Sequence, residues 1–127
     1  MLSTLQLIRN QEAAASLFTI GSALLIITSN LEFNIEVQRT NGLNVKYTPS
    51  PSQITAFSFW IITVGGFIGA VTATIRLYQL IQQSHSTPSI EPNIWIFAGS
   101  WLLFFGLFAV AIGSQQRVNE EQQFVIF

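Results

Sequence analysis

Three long apolar segments dominate the pattern of hydrophobic and polar positions along this chain of 127 residues. They cover residues 13–29, 54–75 and 94–112, and all five basic and six acidic residues lie outside them. A lipid core about 30 Å thick takes roughly 20 residues of helix to cross, since each residue rises about 1.5 Å. The second and third segments reach that length, and the flanks of the first extend it. The pattern predicts an all-α membrane protein with three transmembrane helices.

The three spans leave too few residues for a separate soluble domain. We therefore expect residues 1–127 to form a single three-span membrane unit. Its spans are predicted at about 13–29, 54–77 and 94–113.

Two helix starts are marked by a capping box, in which a serine cap and a glutamine three residues later bond each other's backbone. The two boxes are formed by Ser3 with Gln6 and by Ser50 with Gln53. Pro51 then suits the first position of the second helix, because proline has no N–H to lose there. This helix is predicted to extend over 51–83.

The loop between the first two spans changes to strict alternation, with apolar residues at Phe33, Ile35, Val37, Leu43, Val45 and Tyr47. Asn41-Gly42 between the two runs is typical of a hairpin turn, so we predict a β-hairpin over about 32–48. A three-residue loop with Gly42 in the left-handed region would pair Val37 with Val45 and place both sets of apolar residues on one face of the hairpin. The resulting apolar face consists of Phe33, Ile35, Val37, Val45 and Tyr47. An isolated hairpin is marginal, so this face should lie on helix ends, lipid headgroups or a partner.

Composition excludes several classes of function. A net charge of −1 without a cluster of Lys and Arg gives no support for nucleic-acid binding. The chain has no cysteine, and none of the three apolar segments contains an ionisable residue of the kind that proton relays and ion-coupled transporters use. His85, the only histidine, cannot supply the facing pair of a transmembrane haem. No catalytic or metal-binding motif is present, so we predict no enzyme, no catalytic residue and no metal site.

Small residues form a stripe in each of the last two spans. Gly65, Gly69 and Ala73 recur every four residues in the second span, and Gly99, Gly106 and Gly113 recur every seven in the third. Such stripes let helix backbones approach closely in lipid. We predict a helix-packing or partner interface at Gly65, Gly69, Ala73, Gly99 and Gly106. The alternative is packing between the chain's own helices.

Two tryptophans, Trp60 and Trp101, lie six or seven residues inside their spans, which is roughly 10 Å along a helix. They could line a lipophilic groove for a lipid, quinone or pigment, and ordinary helix packing is the alternative. No cofactor is predicted otherwise.

A short N-terminal segment leads into the first span, and the second span holds Gly65 and Gly66 and ends at the basic Arg76. In this outline the chain resembles the three-span bacterial family of unknown function 202. That family has a basic and acidic motif with an aromatic residue before its first span, where this chain reads Leu-Ile-Arg-Asn-Gln-Glu at 7–12. The resemblance is one of topology and implies no site residue.

The small-residue stripes, the few charges and the apolar C-terminal residues 124–127 each favour a partner surface. We therefore predict a non-catalytic accessory or assembly subunit of a larger membrane protein complex. One alternative is a homo-oligomeric channel or small transporter, and another is a membrane module that binds lipid, pigment or quinone. The expected partners are membrane lipids and other membrane subunits or copies of the chain. We expect the N-terminus on the cytoplasmic side, because Arg9 and Arg76 lie close to the membrane there.

Overall fold

The computed structural model of the protein describes residues 3–43, 50–82 and 91–126, with side chains as far as residue 121. It contains three helices, α1 (Thr4–Thr40), α2 (Pro51–Gln82) and α3 (Glu91–Ile126). Each is long and apolar enough to cross a membrane. The prediction of an all-helical chain with three candidate spans is confirmed, and these helices are compatible with an integral membrane location.

Both predicted capping boxes are present. Ser3 Oγ accepts a hydrogen bond from the Gln6 N–H at 3.3 Å, and Gln6 Oε1 accepts one from the Ser3 N–H at 2.9 Å. Ser50 and Gln53 repeat this arrangement with the same two distances. Each box satisfies backbone donors that the first turn of a helix leaves unpaired. Pro51 opens α2 as predicted.

The predicted β-hairpin is wrong in its first strand, because Phe33, Ile35 and Val37 belong to α1. No Gly or Pro separates the first span from Asn41, so nothing in the sequence ends the helix at the membrane surface. Phe33 and Val37 also stand four residues apart, a spacing that suits a helix as well as alternation suits a strand. The described residues contain no strand, and Val45 and Tyr47, the hairpin's other two apolar positions, lie outside them.

The Asn41-Gly42 pair ends α1 instead of turning a hairpin. The Gly42 N–H donates to the Arg39 carbonyl at 3.0 Å, and the Leu43 N–H donates to the Gln38 carbonyl at 2.8 Å. These two bonds, with Gly42 at φ +83°, form a Schellman motif. The left-handed conformation predicted for Gly42 is therefore correct, while the structure that requires it is a helix end.

The central helix of the three is α2, and both other helices pack against it in antiparallel orientation. No described Cα atom of α1 approaches one of α3 within 8 Å. The arrangement is therefore an open row of helices, and α1 and α3 leave a groove between them.

A seven-residue repeat of buried positions forms the seam of α1 on α2. On α1 the buried residues are Leu7, Ala14, Gly21 and Thr28. On α2 the buried residues Ser58, Gly65 and Thr72 repeat at the same interval. This interval is the repeat of a left-handed helix pair with a small crossing angle, in which the same face meets the partner at every second turn.

Candidate functional site

Two glycines allow the backbones of α1 and α2 to approach closely. A Cβ atom on Gly65 would lie 3.1 Å from the Ala14 carbonyl oxygen. A Cβ atom on Gly21 would lie 3.0 Å from the Ser58 carbonyl oxygen and would collide with the side chain of Ile62. Gly65, predicted at a helix interface, thus lies at a contact between the chain's own helices. Gly21 was missed, although its seven-residue spacing from Ala14 is a signal that could have found it.

Hydrogen bonds between side chains hold α3 on α2. The Trp60 indole N–H donates to Gln115 Oε1 at 3.4 Å. The Ser52 hydroxyl donates to Glu121 Oε1 at 2.7 Å. Gly66 allows close packing here as well, because a Cβ atom on it would lie 3.1 Å from Leu107 Cδ1.

Aromatic rings fill the same α2–α3 contact. The Phe67 ring of α2 meets Trp101 edge-on with centroids 6.4 Å apart, and it lies 5.4 Å from Phe104. Trp60 meets Phe108 edge-on at 6.0 Å. Such edge-to-face pairs stabilise helix contacts beyond the area that they bury.

The structure places both predicted groove tryptophans in this helix contact. Trp101 donates a hydrogen bond to Thr74 of α2. Thr74 and Trp60 are 14 residues apart, which is about 21 Å of helix. The two indoles are therefore too far apart along α2 to line one small groove together. A ligand beside either of them stays a prediction.

A groove lies between α1 and α3, with α2 as its floor, and has a volume of about 310 Å³. Its apolar lining consists of Ala14, Ala15 and Phe18 from α1, Gly69 and Ala73 from α2, and Ile96 from α3. A Cβ atom on Gly69 would meet no atom within 4 Å. Gly69 and Ala73, both predicted at an interface, thus face the groove and leave it open.

One end of the groove is polar. This end is lined by Gln11, Arg76 and Asn93, while Ser100 lies seven residues further along α3, about 10 Å deeper. The apolar segments begin or end within two residues of Gln11, Arg76 and Asn93, so these three residues mark one end of the apolar part of the three helices. Gly69 lies seven residues deeper along α2, about 10 Å. The groove therefore extends from a polar mouth at this end towards the apolar middle of the helices.

Arg76 is the only charged residue among those that line the groove. Its side chain is half-buried and has no salt-bridge or hydrogen-bond partner in the described part of the chain. The one salt bridge between described residues joins Arg39 to Glu36 at 2.9 Å, at the far end of α1. A guanidinium group carries five donors, so Arg76 can accept an anionic ligand without displacing a protein partner.

The outer face of α3 carries the second predicted stripe. Gly99, Gly106 and Gly113 are exposed, and a Cβ atom on any of them would meet no atom within 4 Å. Only 6% of the most apolar stretch of this helix is buried, against 39% for α2. The glycine face of α3, defined by these three residues, is therefore used by none of the described helices of the chain.

The remaining polar groups offer little chemistry. No group of three or more His, Cys, Asp or Glu that could hold a metal occurs in the described residues. Hydroxyl groups within the spans bond their own helix, as Ser58 does to the Ile54 carbonyl at 2.7 Å and Thr63 to the Phe59 carbonyl at 2.6 Å. Thr28 Oγ1 differs, since it is buried without a partner.

The chain was compared with known protein families, curated proteins and solved structures. No protein-family model matches this chain, and no curated protein or solved structure does. The resemblance to the three-span family of unknown function 202 thus has no support from a family model.

Proposed function

We propose that this chain is a non-catalytic accessory or assembly subunit of a larger membrane protein complex, and that the glycine face of α3 binds a transmembrane helix of a neighbouring subunit. The observation that carries the proposal is the exposure of Gly99, Gly106 and Gly113, which no described helix of the chain covers. Lipid tails solvate large apolar side chains as well as a protein does, so they give no reason for glycine there.

Glycine within a helix lowers its stability by about 0.8–1 kcal/mol relative to alanine. Gly21, Gly65 and Gly66 offset that loss through close contacts inside the chain. The three glycines of α3 make no such contact. A neighbouring helix that packs closely along this face would supply the missing contacts. The seven-residue interval favours a left-handed crossing of about 20°.

We infer an orientation with the N-terminus in the cytoplasm from the position of two basic residues. Arg9 lies in the first turns of α1, and Arg76 lies near the end of α2, on the same side of the membrane. Basic residues close to span ends favour the cytoplasmic side. A cysteine placed at Ser3 should then be labelled by a membrane-impermeant reagent only after the cells are opened.

The subunit proposal is tested with tagged chain extracted in mild detergent, run on a native gel and identified band by band by mass spectrometry. Wild type should migrate with a larger assembly of other proteins. Gly106→Leu should release the chain from that assembly, because the new side chain fills the space for the neighbouring backbone. Ala23→Leu is the matched control, since Ala23 is an exposed α1 residue away from this face.

Two results contradict the proposal. One is wild-type protein that purifies as a stable monomer, and the other is Gly106→Leu protein that stays in the assembly. A ladder of multiples of the chain alone would show that the neighbour is a second copy, as the channel alternative requires.

A further inference from the structure

We propose that the groove between α1 and α3 binds one anionic phospholipid of the surrounding membrane. Its phosphate would lie against Arg76, and one acyl chain would extend over Gly69 towards Phe18 and Ile96. This proposal concerns the isolated chain and does not depend on a partner at the glycine face of α3.

The shape of the groove suits an acyl chain. Its deep part is apolar apart from Ser100, and Gly69 and Ala73 on its floor have no large side chain that would fill it. At about 310 Å³ it lies at the lower end of the range for ligand pockets, roughly 300–1,000 Å³. An unfilled apolar groove would lose dispersion contacts along its walls. Because the described parts of α1 and α3 stay apart, a lipid can enter sideways from the bilayer.

The charge of the groove suits a phosphate. Arg76 lies at the membrane boundary with no carboxylate of the described residues within 4.0 Å. The planar guanidinium matches phosphate oxygens with two parallel hydrogen bonds. Gln11 and Asn93 line the same mouth, and their amide groups can donate to further phosphate or ester oxygens. None of the residues that line the groove is acidic, and the nearby Glu12 and Glu91 are exposed and lie outside the lining.

The space above Gly69 distinguishes a defined lipid site from the general attraction of anionic lipid to a basic residue. An arginine near a membrane surface attracts anionic headgroups wherever it stands. A site in this groove requires, in addition, the space above Gly69 for the acyl chain. Filling that space with a side chain should therefore abolish binding while Arg76 and its charge remain.

The test is native mass spectrometry of the full-length protein in detergent, titrated with phosphatidylglycerol or phosphatidylcholine. Wild type should bind one phosphatidylglycerol at least about tenfold more tightly than phosphatidylcholine, a difference of about 1.4 kcal/mol. Arg76→Gln should lose this preference. Gly69→Leu should lose the bound lipid.

Two controls keep the result specific. Arg117→Gln removes an exposed basic residue of α3 on the opposite side of the membrane and should bind lipid as wild type does. Ala23→Leu places the same leucine side chain outside the groove. A circular dichroism spectrum and melting curve should show that each variant is folded.

The proposal is overturned if the two lipids bind equally, or if folded Gly69→Leu protein keeps the preference for phosphatidylglycerol. It is also overturned if Arg117→Gln lowers binding as much as Arg76→Gln. If folded Gly69→Leu protein keeps the preference, the lipid binds the charged surface and the groove has no ligand.

Discussion

The indole N–H of Trp101 donates a hydrogen bond to the hydroxyl of Thr74 at 2.8 Å, across the contact between α3 and α2. The same hydroxyl donates to the Ala70 carbonyl at 2.8 Å, so Thr74 joins the indole to the backbone of α2. Both polar side chains thereby find partners at a depth where water is scarce. Hydrogen bonds between membrane helices contribute about 0.6 kcal/mol on average and about 1.7 kcal/mol at most.

Removing this bond should weaken the protein modestly. We expect Trp101→Phe and Thr74→Val each to lower the free energy of unfolding by about 0.5–1.5 kcal/mol. The double variant should lose clearly less than the sum of the two, because the interaction is shared. Unfolding in mixed micelles of increasing denaturing detergent measures all three variants. Strict additivity would show that the bond does not contribute.

Substitution of the seam glycines should separate α1 from α2. Gly21→Leu and Gly65→Leu force a side chain into space that Ser58, Ile62 and Ala14 occupy. Overpacking of this kind costs about 1–3 kcal/mol. The same unfolding measurement on the isolated chain should show that loss, and Gly113→Leu should show little change because its site is open. Equal effects at all three positions would contradict the close approach of α1 and α2.

The end of α1 should depend on the conformation of Gly42. Its φ of +83° lies in the region that residues with a side chain adopt at a cost of about 1–2 kcal/mol. Gly42→Ala should therefore destabilise the protein by about that amount, and Gly42→Asn should lose less. Gly99→Ala, a glycine with ordinary helical geometry, should stabilise the isolated chain by up to about 1 kcal/mol. A neutral Gly42→Ala variant would show that α1 ends differently.

The helical course of α1 beyond the membrane can be tested with spin labels placed singly along 31–40. Their mobility should vary with a period of about 3.6 residues, because Leu31, Ile35 and Gln38 are half-buried while their neighbours are exposed. A period of two would restore the strand that the alternating pattern predicts.

The sequence predicts the features of this fold that depend on nearby residues. Both capping boxes and the three apolar helices follow from local patterns, and they are confirmed. The strand predicted around Ile35 was wrong because the apolar positions of a five-residue stretch fit both the period of a strand and that of a helix. The preceding span is already helical, and the helix continues through this stretch. The seam of α1 was missed because its residues are no more apolar than the rest of the span, and only the seven-residue spacing of Ala14, Gly21 and Thr28 marks it.

The groove could not be predicted from the sequence. Gly69 and Ala73 were singled out as packing residues, and the spacing alone cannot distinguish a covered stripe from an open one. Their exposure depends on the distance between α1 and α3, which no local pattern encodes. Arg76 is visible in the sequence as the charge that ends a span, but its lack of a described partner is a property of the fold.

Because α2 alone joins α1 to α3, each described helix contact is made between neighbours along the chain. The α1–α2 pair needs nothing from the last span, so it can close as soon as α2 has left the ribosome and entered the bilayer. The last span then finds its binding surface on α2 already in place. The helices can thus pack in the order in which they are synthesised, because each one contacts only the helix before it or after it in the chain.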